Sequence, residues 1–168
     1  MNMPHDNATS SPFPTTENDE LFTKYGQQLR VYTQEELETA ATSWHLFVSE
    51  AMTPAFYLKL LVISEGAMCE ATILWDALGA HRQRGLVKYI TRSASHYTTR
   101  FDAVCGAERT YNRAFADLFD RQLLVRLPTA RFRGFNFRLD WVALSQRIDS
   151  MQGKVFPGLD ADIDEVIQ

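Results

Sequence analysis

Glu108, Arg109, Asn112 and Arg113 fall within six consecutive residues, Glu108-Arg109-Thr110-Tyr111-Asn112-Arg113. An arginine guanidinium can bond a guanine edge in two places, an asparagine amide can do the same with adenine, and a glutamate can accept from cytosine. Glu108 has a second reading, because an acid at a helix start also complements the helix dipole. At helical spacing these four residues share one face, opposite Tyr111, Ala114, Phe115 and Leu118, which recur at the intervals of a core-facing stripe. Around them stand Thr98, Thr99 and Arg100 before the helix and Arg126, Arg131 and Arg133 after it, hydroxyls and cations suited to phosphate oxygens. Six such contacts would give a log–log salt slope of about five.

The overall charge of −4 conceals how this chemistry is distributed. Between His81 and Asp140 lie twelve Lys/Arg and five Asp/Glu, a net of +7, which leaves −11 for the rest. Eleven of those twelve cations are arginine, the residue suited to bidentate phosphate contacts and equally to structural ion pairs. A polyanionic partner is therefore expected for the middle of the chain. At 168 residues and 45% hydrophobic composition, one domain with tails is expected.

The elements that must position these residues can be followed along the chain. Residues 1–20 carry Asn, Ser, Thr and Pro without an apolar period and read as a flexible arm. Thr33-Gln34-Glu35-Glu36 has capping-box form, and Leu37, Ala40, Ala41, Trp44, Phe47, Val48 and Met52 predict a helix over 33–52. Its polar face carries Glu35, Glu38 and Thr42, with His45 expected as a packed edge residue. Residues 56–63 form a short apolar run, either a buried strand or a helical turn. Met68, Ala71, Thr72, Trp75 and Leu78 predict a helix from Gly66 through Ala80, capped by Ser64 or Gly66. His81-Arg82-Gln83-Arg84-Gly85 should break it, and 86–90 should be a strand.

Thr98 is the expected cap of a short helix with Phe101, Val104 and Cys105 inside, Gly106 the turn, and 110–122 the longer helix. Residues 123–127 and 135–139 read as two strands joined by the loop Pro128-Thr129-Ala130-Arg131-Phe132-Arg133-Gly134, a β-hairpin with a basic tip. Asp140 should cap a last helix over 141–151, after which 153–168 form an acidic tail. The fold class is mainly α with a small β-hairpin, α+β. A helix, a strand, two helices one turn apart, a hairpin and a helix form the order of a winged helix-turn-helix, here over 21–152 with an additional N-terminal helix.

The segment from Gly66 to Leu144 resembles the N-terminal winged-helix domains of phage and plasmid replication initiators, over a little under half the chain. A Glu-Ala-x-x-Leu type helix is matched by Glu70-Ala71-Thr72-Ile73-Leu74-Trp75. The helix-turn-helix pattern is matched by Thr98, Phe101, Gly106, Arg109-Thr110, Arg113-Ala114, Leu118 and Leu123-Leu124, and an aromatic wing strand by Phe135-Asn136-Phe137-Arg138-Leu139-Asp140. The resemblance implies a double-stranded DNA partner and a role in transcription or replication control, in a phage or plasmid-like element. Such domains place glycine in the left-handed cap after the recognition helix, whereas Gln122 stands there, so a different cap is expected. Only 28 residues follow Asp140, which points to a small regulator or accessory factor rather than a complete initiator.

Other function classes have less to stand on. His5, His45, His81 and His96 lack metal-ligand spacing with Cys or acids, and no glycine-rich phosphate loop or Ser/His/Asp set is recognisable, so neither enzyme activity nor a metal or other cofactor is expected. Asp117 and Asp120 would repel phosphate near the far end of the longer helix, which leaves a winged-helix adaptor or inhibitor that binds protein as the alternative. The acidic tails offer a route to a protein partner. A homodimer reading two half-sites is also expected, with the 33–52 helix as its contact. The longest apolar run, 56–63 with Lys59 inside it, is far shorter than the about 20 residues a membrane span needs. The N-terminus lacks the basic start and apolar core of a secretory signal, so a cytoplasmic location is expected. Cys69 and Cys105 are then expected to be buried free thiols.

Overall fold

The computed structural model describes residues 30–49, 53–101, 107–127 and 133–151. Among them the chain forms helices α1 (Gln34–Ser49), α2 (Pro54–Ile63) and α3 (Met68–Arg84), strand β1 (Ile90–Arg92), helices α4 (Ala94–Arg100) and α5 (Glu108–Asp120), strands β2 (Leu124–Leu127) and β3 (Phe135–Leu139), and helix α6 (Trp141–Ser150). The result is mainly helical with a small three-stranded antiparallel sheet, in the order β1-β3-β2. The central strand β3 pairs Phe137 with Ile90 on one side and with Arg126 on the other. No described helix is long and apolar enough to cross a membrane.

The capping box at α1 is complete: the Thr33 amide donates to Glu36 Oε2 at 2.8 Å, and the Glu36 amide donates to Thr33 Oγ1 at 3.2 Å. The Thr33 amide first, and then the Gln146 side-chain amide, which donates to Glu36 Oε1 at 2.8 Å, hold the Glu36 carboxyl below the usual range. The inner face of α1 lies on α6, where Trp44 and Phe47 meet Trp141 at ring centroid distances of 5.2 and 5.4 Å. The Trp141 indole N–H donates to the Ala40 carbonyl at 2.9 Å, so this bulky ring is buried without an orphaned donor. His45, expected at a packed edge, is exposed.

The apolar run at 56–63 is helical. Pro54 sits in the first turn, where its missing N–H costs nothing, and Leu60 and Ile63 are buried. Two further expectations are corrected around α3. Its N-cap is Ala67, without a side-chain bond, rather than Ser64 or Gly66. Its C-terminal end does not break at His81, because that side chain faces the core and ties the last turn down. His81 Nε2 accepts the Leu139 amide at 3.0 Å, which leaves Nδ1 to donate to the Gly85 carbonyl at 3.1 Å. Burial, with Arg138 contributing, lowers the His81 pKa and keeps the ring neutral. The helix ends at Gly85, whose φ of 91° suits a residue without Cβ.

The strand expected at 86–90 starts only at Ile90, since Leu86 and Val87 continue the turn that leaves Gly85. The cap of α4 is Ser93, whose Oγ accepts the His96 amide at 3.2 Å; Thr98 lies inside the helix and donates to the Ser95 carbonyl at 3.1 Å. The short helix therefore starts earlier than its sequence suggests. Val104, Cys105 and Gly106 lie outside the described residues. Cys69 is buried, as a small apolar side chain should be, but it is disulfide-bonded rather than a free thiol. No CxxC spacing announces such a bond, and it is not what a reducing compartment favours.

Candidate nucleic-acid interface

Helix α5 is the element on which the candidate site depends. Tyr111, Ala114, Phe115 and Leu118 are buried, and they repeat at the three- and four-residue steps that put them on one face. Phe115 is the hub: its ring lies 4.3 Å from Phe135, 5.3 Å from Phe137 and 5.7 Å from Tyr97, centroid to centroid. Tyr97 in turn stacks on Tyr111 at 5.1 Å. Aromatic contacts thus fix α5 against both α4 and β3, and full burial of a phenylalanine is worth about 1.5–3 kcal/mol.

The opposite face is exposed and comprises Glu108, Arg109, Thr110, Asn112, Arg113 and Ala116. Arg109, Asn112 and Arg113 make no hydrogen bond or ion pair among the described residues. They occupy the first two turns; only Arg109 lies in the first, where the unpaired N–H groups of a helix add partial positive charge. Glu108 stands in the first turn of the same exposed face.

The helix ends in a way its sequence hides. Gln122 itself adopts the left-handed conformation, φ 56°, in place of glycine. The Leu123 amide donates to the Leu118 carbonyl at 3.1 Å and the Gln122 amide to Phe119 at 3.0 Å, the paired bonds of a glycine-type C-terminal cap. The expectation of a different cap is therefore wrong; the backbone is the usual one and only the residue differs. Arg30 Nε donates to Gln122 Oε1 at 2.7 Å and holds that side chain.

The residues expected to meet phosphate divide into three groups. Thr98 and Thr99 sit in the last turns of α4 rather than at a helix start, with Thr98 half-buried and Thr99 exposed. Arg100 follows them with a side chain 60% exposed, its guanidinium 5.5 Å from the Phe101 ring and 3.9 Å from Asp76. On the hairpin, Arg126 leaves β2 on the same face as Leu124, and its guanidinium lies over Phe119 at 5.7 Å and Phe135 at 5.2 Å. That stacking links the far end of α5 to the hairpin while Arg126 stays exposed. Arg133 is exposed before β3, and Arg131 lies outside the described residues.

No protein-family model, curated protein or solved structure matches this chain. Its geometry must carry the functional argument alone.

Two of the basic residues that swell the +7 count already balance buried carboxylates, although Arg92 does so with only part of its guanidinium. Arg92 Nε donates to Asp76 Oδ2 at 2.8 Å and Arg121 pairs with the buried Glu70; beyond that segment, Arg147 approaches Glu65 at 3.8 Å. Asp76 also accepts the Tyr97 hydroxyl at 3.0 Å; burial first, and then this carboxylate, raises the Tyr97 pKa well above its ordinary value. Sequence reasoning missed this group. The signal was present in Leu74-Trp75-Asp76-Ala77-Leu78, an acid set inside an apolar helix, where burial demands a cation.

Proposed function

We propose that this chain is a winged-helix protein that binds double-stranded DNA and acts in transcription or replication control, in the manner of a small phage- or plasmid-type regulator. The observation that carries the reading is the exposed face of Arg109, Asn112 and Arg113 on α5, a helix preceded by α4 and followed by a hairpin in a β1-β3-β2 sheet. In this reading α5 enters the major groove and places those side chains, with Glu108, at base edges. Arg126, Arg131 and Arg133 form the wing and, with Thr98, Thr99 and Arg100, engage the backbone. No catalytic group or cofactor is part of the proposal.

Reading two half-sites would require a homodimer. Because Trp44 and Phe47 are buried inside the chain, a dimer contact through α1 would rest on its outer edge, where Leu46 is 61% exposed. The acidic tails would serve a second, protein partner.

Binding to a random duplex pool across a salt series tests the proposal. Affinity should fall steeply with salt, at a log–log slope of about four, because the four arginines of the backbone set release counterions and the two threonines do not. Absence of salt-sensitive affinity would overturn it and leave the adaptor reading.

A further inference from the structure

A second cationic site lies outside the α5 face. Trp75, Asp76, Gly79, Ala80, Gln83 and Arg84 of α3, with Arg92, Arg100 and Phe101, enclose a cavity of about 230 Å³. That volume is below the ~300–1,000 Å³ of drug-sized pockets and suits a small charged group. Asp76, with a side chain only 6% exposed, closes one wall and holds Arg92 through its Nε. Arg92 Nη1 donates to the Thr91 carbonyl at 3.1 Å, so the guanidinium is fixed with Nη2 left over. Arg100 reaches Asp76 only at 3.9 Å, and Arg84 makes no ion pair among the described residues. Three guanidinium groups thus face one carboxylate, a surplus of positive charge around a preformed opening. His96 registers that surplus: burial lowers its pKa, and Arg92 and Arg100 lower it further against the opposing pull of Asp76.

We propose that this cavity is a phosphate-binding site in which Arg84, Arg92 and Arg100 take the anion and Trp75 and Phe101 line the part of the ligand attached to it. Arginine suits this role because its fork makes paired, charge-assisted bonds to phosphate oxygens. The phosphate can belong to the DNA backbone, in which case the site rests on the DNA-binding reading, or to a free phosphorylated compound. Neither Arg84 nor Arg92 was expected as a contact from sequence.

The chain's three tryptophans provide the readout. Trp75 lines the cavity, whereas Trp44 and Trp141 are buried between α1 and α6. Inorganic phosphate, titrated at constant ionic strength with chloride, should move the Trp75 indole N–H signal in a 1H–15N spectrum saturably, with a Kd on the order of millimolar, and leave the other two in place. Arg84→Gln and Arg100→Gln, at exposed positions that should preserve folding, should each weaken this binding by about tenfold. If Arg84→Gln, which alters none of the backbone contacts proposed above, also flattens the DNA salt dependence by about one unit of slope, the phosphate is the backbone's. If DNA binding is unchanged in Arg84→Gln, or the chain binds no DNA while phosphate still moves Trp75, the site takes a free phosphate compound. No selective Trp75 shift, or a shift that persists undiminished in both variants, would overturn the proposal. The latter would mean that Arg84 and Arg100 only complement the ends of α3 and α4.

Discussion

Arg113 and Arg121 lie two turns apart in one stretch of chain, are the same residue type, and face opposite situations. Arg113 is exposed with no partner among the described residues, while Arg121 reaches across to the buried Glu70 and the Ile63 carbonyl. Burial first, and then Arg147 against the pull of Glu65, lowers the Arg121 pKa from its ordinary value. One arginine is held by the fold and the other is open to a ligand. The +7 of the middle segment is therefore a mixture: Arg92 and Arg121 balance Asp76 and Glu70, and the charge left for a polyanion is concentrated on Arg109, Arg113, Arg133 and the rim of the α3–α4 cavity. Net charge alone does not separate these roles; burial of the opposing carboxylate does.

The sharpest way to break this contrast is Arg121→Ala. It strands Glu70 in the core without its cation, and urea unfolding should show a loss of about 3 kcal/mol, the lower end of the range because Arg121 is 33% exposed. The folded fraction should bind DNA as before. Arg113→Ala should do the reverse, leaving stability within about 0.5 kcal/mol while weakening affinity for a selected duplex by about 1–3 kcal/mol, followed by anisotropy. Equal stability losses in the two variants would erase the distinction.

Acidification is the next probe. The buried, neutral His81 has its pKa lowered from 6.5, so below that value the unfolded chain binds more protons than the folded one. The stability contributed by His81 is complete above pH 6.5 and is lost as pH falls through its lower folded pKa, at no more than about 1.4 kcal/mol per pH unit. Unfolding at stepped pH should show this drop, and a His81→Gln chain should lack that part of it.

A smaller effect is expected at the end of α5. Gln122→Gly relieves the left-handed conformation and should raise stability by up to about 1 kcal/mol, less what is lost with the Arg30 bond. A thermal melt that shifts downward instead would mean that Arg30 and Gln122 matter more than backbone strain.

What the sequence made legible follows from how local each signal is. The Thr33–Glu36 box, the Asp140 cap, whose Oδ1 accepts the Ala143 amide at 3.0 Å, and the two faces of α5 all depend on residues within a few positions of each other. Ser93 and Thr98 are both cap-type residues, and the burial of Tyr97, stacked on Tyr111 of α5, places the helix start at the earlier one. The partners Arg121 and Glu70, or His81 and Leu139, lie far apart in sequence, so no spacing rule connects them. The candidate site was therefore half legible: its exposed helix face could be read, but which arginines the core had already claimed could not. A further long-range bond, from the Tyr32 hydroxyl to Asp140 Oδ2 at 2.6 Å, is equally silent in sequence; burial first, and then this carboxylate, raises the Tyr32 pKa.

The most direct test of the account measures base preference rather than binding alone. Affinities for a duplex selected from the random pool and for its scrambled counterpart should be compared in the native chain, in Asn112→Ala with Arg113→Ala, and in Arg133→Ala. The account predicts that the α5 pair lowers the ratio of the two affinities by about tenfold or more, and that Arg133→Ala weakens both duplexes alike with a salt slope smaller by about one. An unchanged ratio in the α5 pair would contradict the assignment of that face to DNA bases.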